Sequence, residues 1–128
     1  MGNKNILTIK DWTGSGTGSI KIQIGSYMLV ERRIGSTKIN KLIVYRKPDQ
    51  YSSRLGMMAN LNKTNHSLSW GFTEMTLTVE KFSDQGAFVS LKTMNFSSIG
   101  VENSRMNGDE EEVTFVFNQM GEFCIGQC

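Results

Sequence analysis

The stretch at residues 68–82 constrains the fold of this 128-residue chain more than any other. Between residues 73 and 80, apolar side chains alternate without interruption with threonines and glutamates. Successive side chains of an extended strand point to opposite faces, so a period of two predicts a strand with one buried and one polar face. The buried face would carry Met75, Leu77 and Val79. We therefore expect a sheet with one side against a core and the other side in a polar environment.

Four segments before this stretch also predict strands. Residues 6–10 and 20–24 flank a run rich in glycine, serine and threonine, which predicts an N-terminal hairpin. Residues 27–33 and 39–47 alternate in the same way. Pro48 ends the last of these strands, because proline cannot donate a hydrogen bond to a sheet.

A fifth strand is predicted over residues 54–63, just before the opening stretch. Every second residue there is apolar, which is the pattern of a half-buried strand. The residues facing the core would be Leu55, Met57, Ala59 and Leu61. The fourth, the fifth and the opening strand would then lie in one antiparallel sheet.

The segment at residues 83–97 has two interpretations. Its alternation is imperfect, whereas an apolar stripe at helical spacing favours a helix with Ser83 as its N-cap. The stripe consists of Ala87, Phe88, Leu91 and Met94. The competing interpretation is a tight turn at residues 83–86 followed by a returning strand.

A second helix is predicted from Asp109 onward. Asp109 can act as an N-cap, and the three glutamates that follow it suit the positive end of a helix dipole. The apolar residues at helical spacing are Val113, Val116, Phe117 and Met120. The β-prone composition of residues 113–117 leaves a strand as the alternative.

These patterns together predict an α+β fold, in which an antiparallel β-sheet with an N-terminal hairpin is followed by two C-terminal helices. The length predicts one domain over residues 1–128, with the hairpin and sheet in 1–82 and the helical part in 83–128. No apolar run approaches the roughly 18 residues of a membrane span, and no secretory signal is visible, so we expect no membrane partner.

The charged residues are divided unevenly along the chain. Residues 1–63 contain eleven Lys and Arg against three Asp and Glu, a net charge of +8. Residues 64–128 contain three against nine, a net charge of −6. A basic surface for a polyanion and an acidic complement that favours subunit association are two interpretations, and chance patterning is the third.

Catalytic and metal-binding patterns are missing from the sequence. His66 is the single histidine, so neither a Ser-His-Asp set nor a group of imidazole ligands is visible. We therefore expect no enzyme, no metal, no cofactor and no small-molecule substrate. The two cysteines, Cys124 and Cys128, are either free thiols near the C-terminus or a disulfide bond between subunits.

A nucleic-acid interface is predicted on the polar face of the sheet. Cationic side chains suit phosphates, amides suit base edges, and an aromatic ring can stack on an unpaired base, which is the combination used on single-stranded RNA. The candidate RNA contacts are Lys41, Tyr45, Lys47, Arg54, Asn60, Asn62, Thr76 and Thr78. An ordinary solvated sheet face is the alternative interpretation.

The order of elements resembles the coat proteins of single-stranded RNA bacteriophages, the leviviruses. Residues 6–24 are similar to the first hairpin of that family, and Leu-Ile-Val-Tyr-Arg-Lys-Pro at 42–48 is similar to a strand that ends in a basic turn. Trp-Gly-Phe-Thr-Glu-Met-Thr-Leu-Thr-Val at 70–79 resembles the last long strand, and residues 116–123 resemble the closing helix.

The resemblance implies an intertwined dimer, in which the helices of each subunit cover the sheet of its partner. Such dimers would assemble into an icosahedral shell with single-stranded genomic RNA against the inward sheet face. The location would be the virion, and the host cytoplasm during assembly. The alternative is a non-assembling, β-rich protein that binds nucleic acid or serves as a viral accessory protein.

Overall fold

Eight strands and one helix make up most of the part of the chain that the computed structural model describes, which is residues 2–10, 18–65 and 71–127. In chain order they are β1 (Gly2–Lys10), β2 (Ser19–Ile24), β3 (Ser26–Ile34), β4 (Thr37–Arg46), α1 (Ser52–Asn65), β5 (Gly71–Phe82), β6 (Phe88–Asn107), β7 (Glu110–Phe117) and β8 (Gln119–Gly126). All strand pairs are antiparallel.

The two ends of the sheet come together in the chain at Gly25. Its strand order is β2-β1-β5-β6-β7-β4-β3, and β8 pairs with β6 beside this path. The first and last strands in that order, β2 and β3, are separated in the chain by Gly25 alone, so the two ends of the sheet must meet. Gly25 N–H donates to the Tyr45 carbonyl at 2.8 Å, and Asn5 Nδ2 donates to the Gly25 carbonyl at 3.2 Å.

Strand β6 has 20 residues and is long enough to pair with three strands. Its residues 88–100 pair with β5, and 100–107 pair with β7. On the edge opposite β5, residues 90–97 pair with β8. Strands β7 and β8 are separated only by Asn118, so they run along β6 as one bent ribbon.

The core is one cluster of buried side chains from the strands and from helix α1. The prediction for the opening strand is confirmed, since Met75, Leu77 and Val79 on β5 are all buried. The N-terminal hairpin is confirmed as β1 with β2, and the third and fourth strands are confirmed as β3 and β4. The buried residues from the other strands are Leu7, Ile9, Ile22, Ile24, Leu42, Val44, Met94, Phe96, Ile99, Val101, Val113, Phe115 and Phe117.

The predicted fifth strand is wrong, because residues 54–63 lie within helix α1. Leu55, Met58, Ala59 and Asn62 are buried, a spacing of i, i+3, i+4 and i+7 that belongs to one helix face. Every-second-residue and helical patterns coincide in so short a segment, and the alternation was therefore misleading.

A capping box begins this helix. The Tyr51 N–H donates to Asp49 Oδ1 at 2.8 Å, and the Asp49 N–H donates to Ser52 Oγ at 3.0 Å.

The C-terminal part of α1 lies against the segment of β6 that follows Gly100, the last residue of β6 that pairs with β5. Asn62 Nδ2 donates to the Val101 carbonyl at 2.5 Å, and Lys63 Nζ donates to Asn103 Oδ1 at 2.8 Å.

The two predicted C-terminal helices are wrong, and so is the intertwined dimer inferred from them, because residues 88–126 form β6, β7 and β8. The fold is therefore nearly all antiparallel sheet with one helix. Ser83 does not cap a helix but closes a turn, in which the Gly86 N–H donates to the Ser83 carbonyl at 2.9 Å. Gly86 and Gly108 have φ values of 80° and 69°, a left-handed conformation that glycine adopts without strain and that reverses the chain at both turns.

A buried ion pair joins the end of β4 to β7 and to the start of α1. The Arg46 side chain is 1% exposed and contacts both Glu111 and Asp49. Arg46 and Glu111 are register partners across β4 and β7, whereas Asp49 is the residue that caps α1. Burial acts to raise the pKa of Asp49, but the Arg46 guanidinium and the Tyr51 N–H outweigh it and lower that pKa.

We expect replacement of Arg46 by alanine to destabilise the fold by about 3–5 kcal/mol, because Glu111 would keep a buried charge without its counter-ion. Urea denaturation followed by circular dichroism measures this loss. Lys47→Ala is the matched control, since Lys47 is exposed and its replacement should change the unfolding free energy by no more than about 0.5 kcal/mol. Equal effects of the two substitutions would show that the ion pair does not hold these elements together.

Candidate self-association surface

The eight candidate RNA contacts do not share one face of a sheet. Lys41 and Tyr45 lie on β4, and Lys47 follows that strand. Thr76 and Thr78 lie on β5, which β6 and β7 separate from β4. The remaining candidates, Arg54, Asn60 and Asn62, lie on helix α1. The predicted surface depended on a strand at residues 54–63, and the structure has a helix there.

On β4, the cationic and aromatic candidates contact acidic residues of the chain itself. Lys41 Nζ lies 2.8 Å from Glu102 Oε1. The Tyr45 hydroxyl donates a hydrogen bond to Glu112, which raises the pKa of Tyr45. Arg105 Nε lies 2.5 Å from Glu112 Oε1. This bond from Arg105, together with the one from Tyr45, lowers the pKa of Glu112.

The other candidates differ in their exposure. Asn62 is 3% exposed and holds the Val101 carbonyl, whereas Lys47 and Asn60 are exposed. Arg54 and Thr78 are half-buried, and Thr76 Oγ1 donates to Asn95 Oδ1 at 2.9 Å. Contact of these side chains with RNA stays a prediction.

The described residues 2–10, 18–65 and 71–127 contain no group of three or more metal-ligating side chains. No helix within them is long and apolar enough to cross a membrane. His66, which the sequence offered as the single imidazole, lies outside the described residues. The predicted absence of catalysis and of a cofactor stays a prediction.

Exposed apolar side chains gather on strands β3 and β8. Contiguous patches of large exposed apolar residues are uncommon on a protein surface outside its functional sites. Met28 and Leu29 lie on β3, and Met120, Phe123 and Ile125 lie on β8. Phe88 at the start of β6 is also exposed. The sequence did not reveal this surface, because residues 116–123 were assigned to a helix with an inward apolar side.

Strand β8 is at an edge of the sheet. It pairs with β6 on one side, and no strand in the described part of the chain pairs with its other side. Every residue of β8 is exposed. An edge strand is normally protected from further pairing by lysine, proline or a covering element. Strand β8 contains neither lysine nor proline, and its single charged residue is Glu122.

One face of the β5–β6–β8 sheet ends in an apolar cluster. The register pairs Phe82 with Phe88, Leu91 with Ile125, and Thr93 with Phe123, so these side chains lie on the same face. This face is opposite the one that carries Met75, Leu77 and Met94 into the core. The apolar residues of the cluster are Phe82, Phe88, Leu91, Phe123 and Ile125.

A cleft of about 920 Å³ separates β3 from β8. Its floor includes Met75, Phe96 and Phe117, and the rings of Phe96 and Phe117 meet edge to face with centroids 4.7 Å apart. Residues 29–31 of β3 line one wall, and residues 119–121 of β8 line the other. The two strands with exposed apolar residues therefore flank one opening, which is an arrangement suited to receiving another polypeptide.

Cys124 on β8 is disulfide-bonded, and Cys128 lies outside the described residues. The predicted bond between subunits therefore stays a prediction. Cys124 pairs with Lys92 of β6, so its side chain lies on the opposite face of the sheet from Phe123 and Ile125.

Comparisons with known proteins identify similar folds. No protein-family model and no curated sequence matches the chain. The structure of the Hcp1 protein from E. coli pathovar EAEC 042 is similar with a TM-score of 0.61 and 13% identity, over 94% of this chain and 96% of that chain. A crystal structure of an Hcp protein has a TM-score of 0.61 and 6% identity, over 95% and 97%. A type six secretion system protein has a TM-score of 0.57 and 12% identity, over 91% and 79%.

These similarities overturn the resemblance to levivirus coat proteins. The similar structures are Hcp and type six secretion proteins, so the predicted bacteriophage identity, RNA-filled icosahedral shell and virion location are wrong. The alternative of a non-assembling nucleic-acid-binding or viral accessory protein receives no support from them either. The matched hairpin and strands are general features of antiparallel folds. The distinguishing feature, two helices after the sheet, is replaced here by β6, β7 and β8.

We expect Glu112→Gln to make the free energy of unfolding depend less steeply on pH in the acidic range. The pKa of Glu112 is lowered in the folded chain from its ordinary value of 4.5, so its contribution is present above that value and is lost as the pH falls through the folded pKa. Urea denaturation at several pH values between 3 and 7 measures the difference. Asp84→Asn, in an exposed turn, is the control. Parallel curves for the wild type and Glu112→Gln would contradict the assignment.

Electrophoresis without reductant tests the disulfide between subunits. If Cys124 or Cys128 links two chains, a dimer band appears and disappears when dithiothreitol is added. Replacement of both Cys124 and Cys128 by serine should remove that band without removing non-covalent association. A monomer band alone, from protein that is assembled before denaturation, would contradict the covalent link.

Proposed function

We propose that this chain is a non-enzymatic structural subunit that associates with copies of itself into rings, which stack into a tube of the kind used in type six secretion. The observation that carries the proposal is the similarity of fold to Hcp proteins, which extends over almost the whole of both chains. Proteins that share a fold at such low sequence identity can differ in function. A second argument is therefore taken from the surface of this chain.

The second argument is the edge of β8 at residues 119–123, which no strand in the described part of the chain pairs with on the side away from β6. A strand edge with free pairing capacity and exposed apolar residues favours association. The chain presents Phe123 at 60% exposure on that edge, without the lysines or prolines that would prevent pairing. Self-association would therefore remove this apolar edge from water.

The third argument concerns the cleft and the charges. The cleft walls carry paired charges, Lys10 with Glu74 at 2.7 Å and Lys38 with Glu31 at 3.2 Å, rather than a converging set of titratable groups. An arrangement of neutralised pairs around an apolar floor suits contact with a polypeptide. It does not suit acid–base chemistry, for which an unpaired group with a shifted pKa would be needed.

Light scattering after size-exclusion chromatography, with negative-stain microscopy of the same fractions, tests the proposal. We expect a species of several subunits that appears in micrographs as rings with a central opening, and stacks of rings at higher concentration. A monomer at every concentration would contradict the proposal. So would closed shells, which would return the chain to a capsid-like assembly.

A further inference from the structure

The structure carries two different strand edges that can complete each other. Strand β8 pairs only with β6, and strand β3 pairs only with β4, within residues 2–10, 18–65 and 71–127. The two strands have similar lengths, nine residues for β3 and eight for β8. Strand β2 also ends the sheet order, but its residues include no large exposed apolar side chain.

We propose that residues 119–123 of β8 in one copy pair edge to edge with β3 of the next copy, so that the sheet continues from subunit to subunit. This inference rests on the proposed self-association and adds the surface through which it occurs. Joining two different edges is a heterologous contact, and a repeated heterologous contact generates a ring or a helical filament rather than a closed pair.

The apolar residues favour a second copy of this chain as the occupant. Of the eight large apolar residues that are exposed in the described part of the chain, five lie on these two strands. Met28 is 47% exposed on β3, and Phe123 is 60% exposed on β8. A continuous sheet would bring side chains of neighbouring strands within contact distance and remove both from water.

The charges favour the same arrangement. Strand β3 carries exposed Glu31, Arg32 and Arg33, a net charge of +1, whereas the single charged residue of β8 is Glu122. Glu122 lies 2.9 Å from Lys92 Nζ, and this hydrogen bond raises the pKa of Lys92. A contact between unlike edges therefore joins opposite charges, whereas β3 with β3 would join like charges.

Two variants, each with one blocked edge, test the pairing. Phe123→Lys blocks β8 and leaves β3 intact, and Met28→Lys blocks β3 and leaves β8 intact. Both side chains are exposed, so the folded monomer should persist, and circular dichroism with thermal melting verifies this. Met57→Lys is the matched control, because Met57 is 49% exposed on α1, away from either edge. If Phe123→Lys does not fold, Met120→Lys replaces it on the same strand.

The expected results in light scattering are specific. Each edge variant alone should be monomeric at a concentration at which the wild type and Met57→Lys are fully assembled. An equimolar mixture of the two edge variants should form dimers with one chain of each, because the mixture contains one intact β3 and one intact β8, and it should form no larger species.

Three results would overturn the inference. Assembly of either edge variant to the wild-type size would show that its strand is not part of the contact. Dimers of Met28→Lys alone would show that β8 pairs with β8. Failure of the mixture to form dimers would show that the two edges do not meet. A monomeric wild type is a different failure, because it overturns the proposed self-association and this inference with it.

Discussion

The buried charge of Arg46 constrains much of this structure. A guanidinium that is 1% exposed must be compensated within the protein, and the compensation comes from Glu111 on β7 and from Asp49 at the cap of α1. Glu111 is 65 residues away in the chain, so this contact fixes the register of β4 against β7, two strands that are distant in the sequence. Because Asp49 also accepts from the first turn of α1, the helix is placed relative to the same point. The helix then covers β6 at residues 101–103, where β5 does not reach.

The sequence predicted those parts of the fold in which one face is buried and the other is polar. Strand β5 is such a case, since Met75, Leu77 and Val79 face the core and its threonines do not. Residues 54–63 fit the apolar pattern of a strand and also that of a helix. The capping box at 49–52 is the local feature that distinguishes the helix from the strand.

The acidic run at 110–112 favoured a helix N-terminus, because the sequence does not show which residues pair with these glutamates. Glu111 meets Arg46, and Glu112 meets Tyr45 and Arg105, through sheet pairing. Strand β6 was hidden by two bulges, near residues 89 and 102, which interrupt its alternation.

The candidate site could not be predicted because it depends on which strands lie at the edges. Sequence alternation reports which residues face a core, but it does not report whether a strand has one neighbour or two. Strand β8 is exposed along its whole length, yet it lacks the lysine and proline that commonly protect an edge strand. The same polar residues that suggested RNA contacts, Lys41 and Tyr45, are engaged with Glu102 and Glu112 of their own sheet. Association of copies through β3 and β8 accounts for the exposed apolar edge without requiring RNA or a catalytic group.

Hydrogen–deuterium exchange of β8 tests the account most directly, because it reads the backbone edge itself. Amide hydrogens protected by a partner strand exchange slowly, whereas those facing solvent exchange quickly. The comparison is between assembled wild-type protein and the monomeric Phe123→Lys variant, over peptides that span residues 119–123 and residues 26–34. The account predicts slow exchange of both segments in the assembled protein and faster exchange of both in the monomer, with helix α1 unchanged. Equally fast exchange of both segments in the two samples, from protein that is demonstrably assembled, would contradict it.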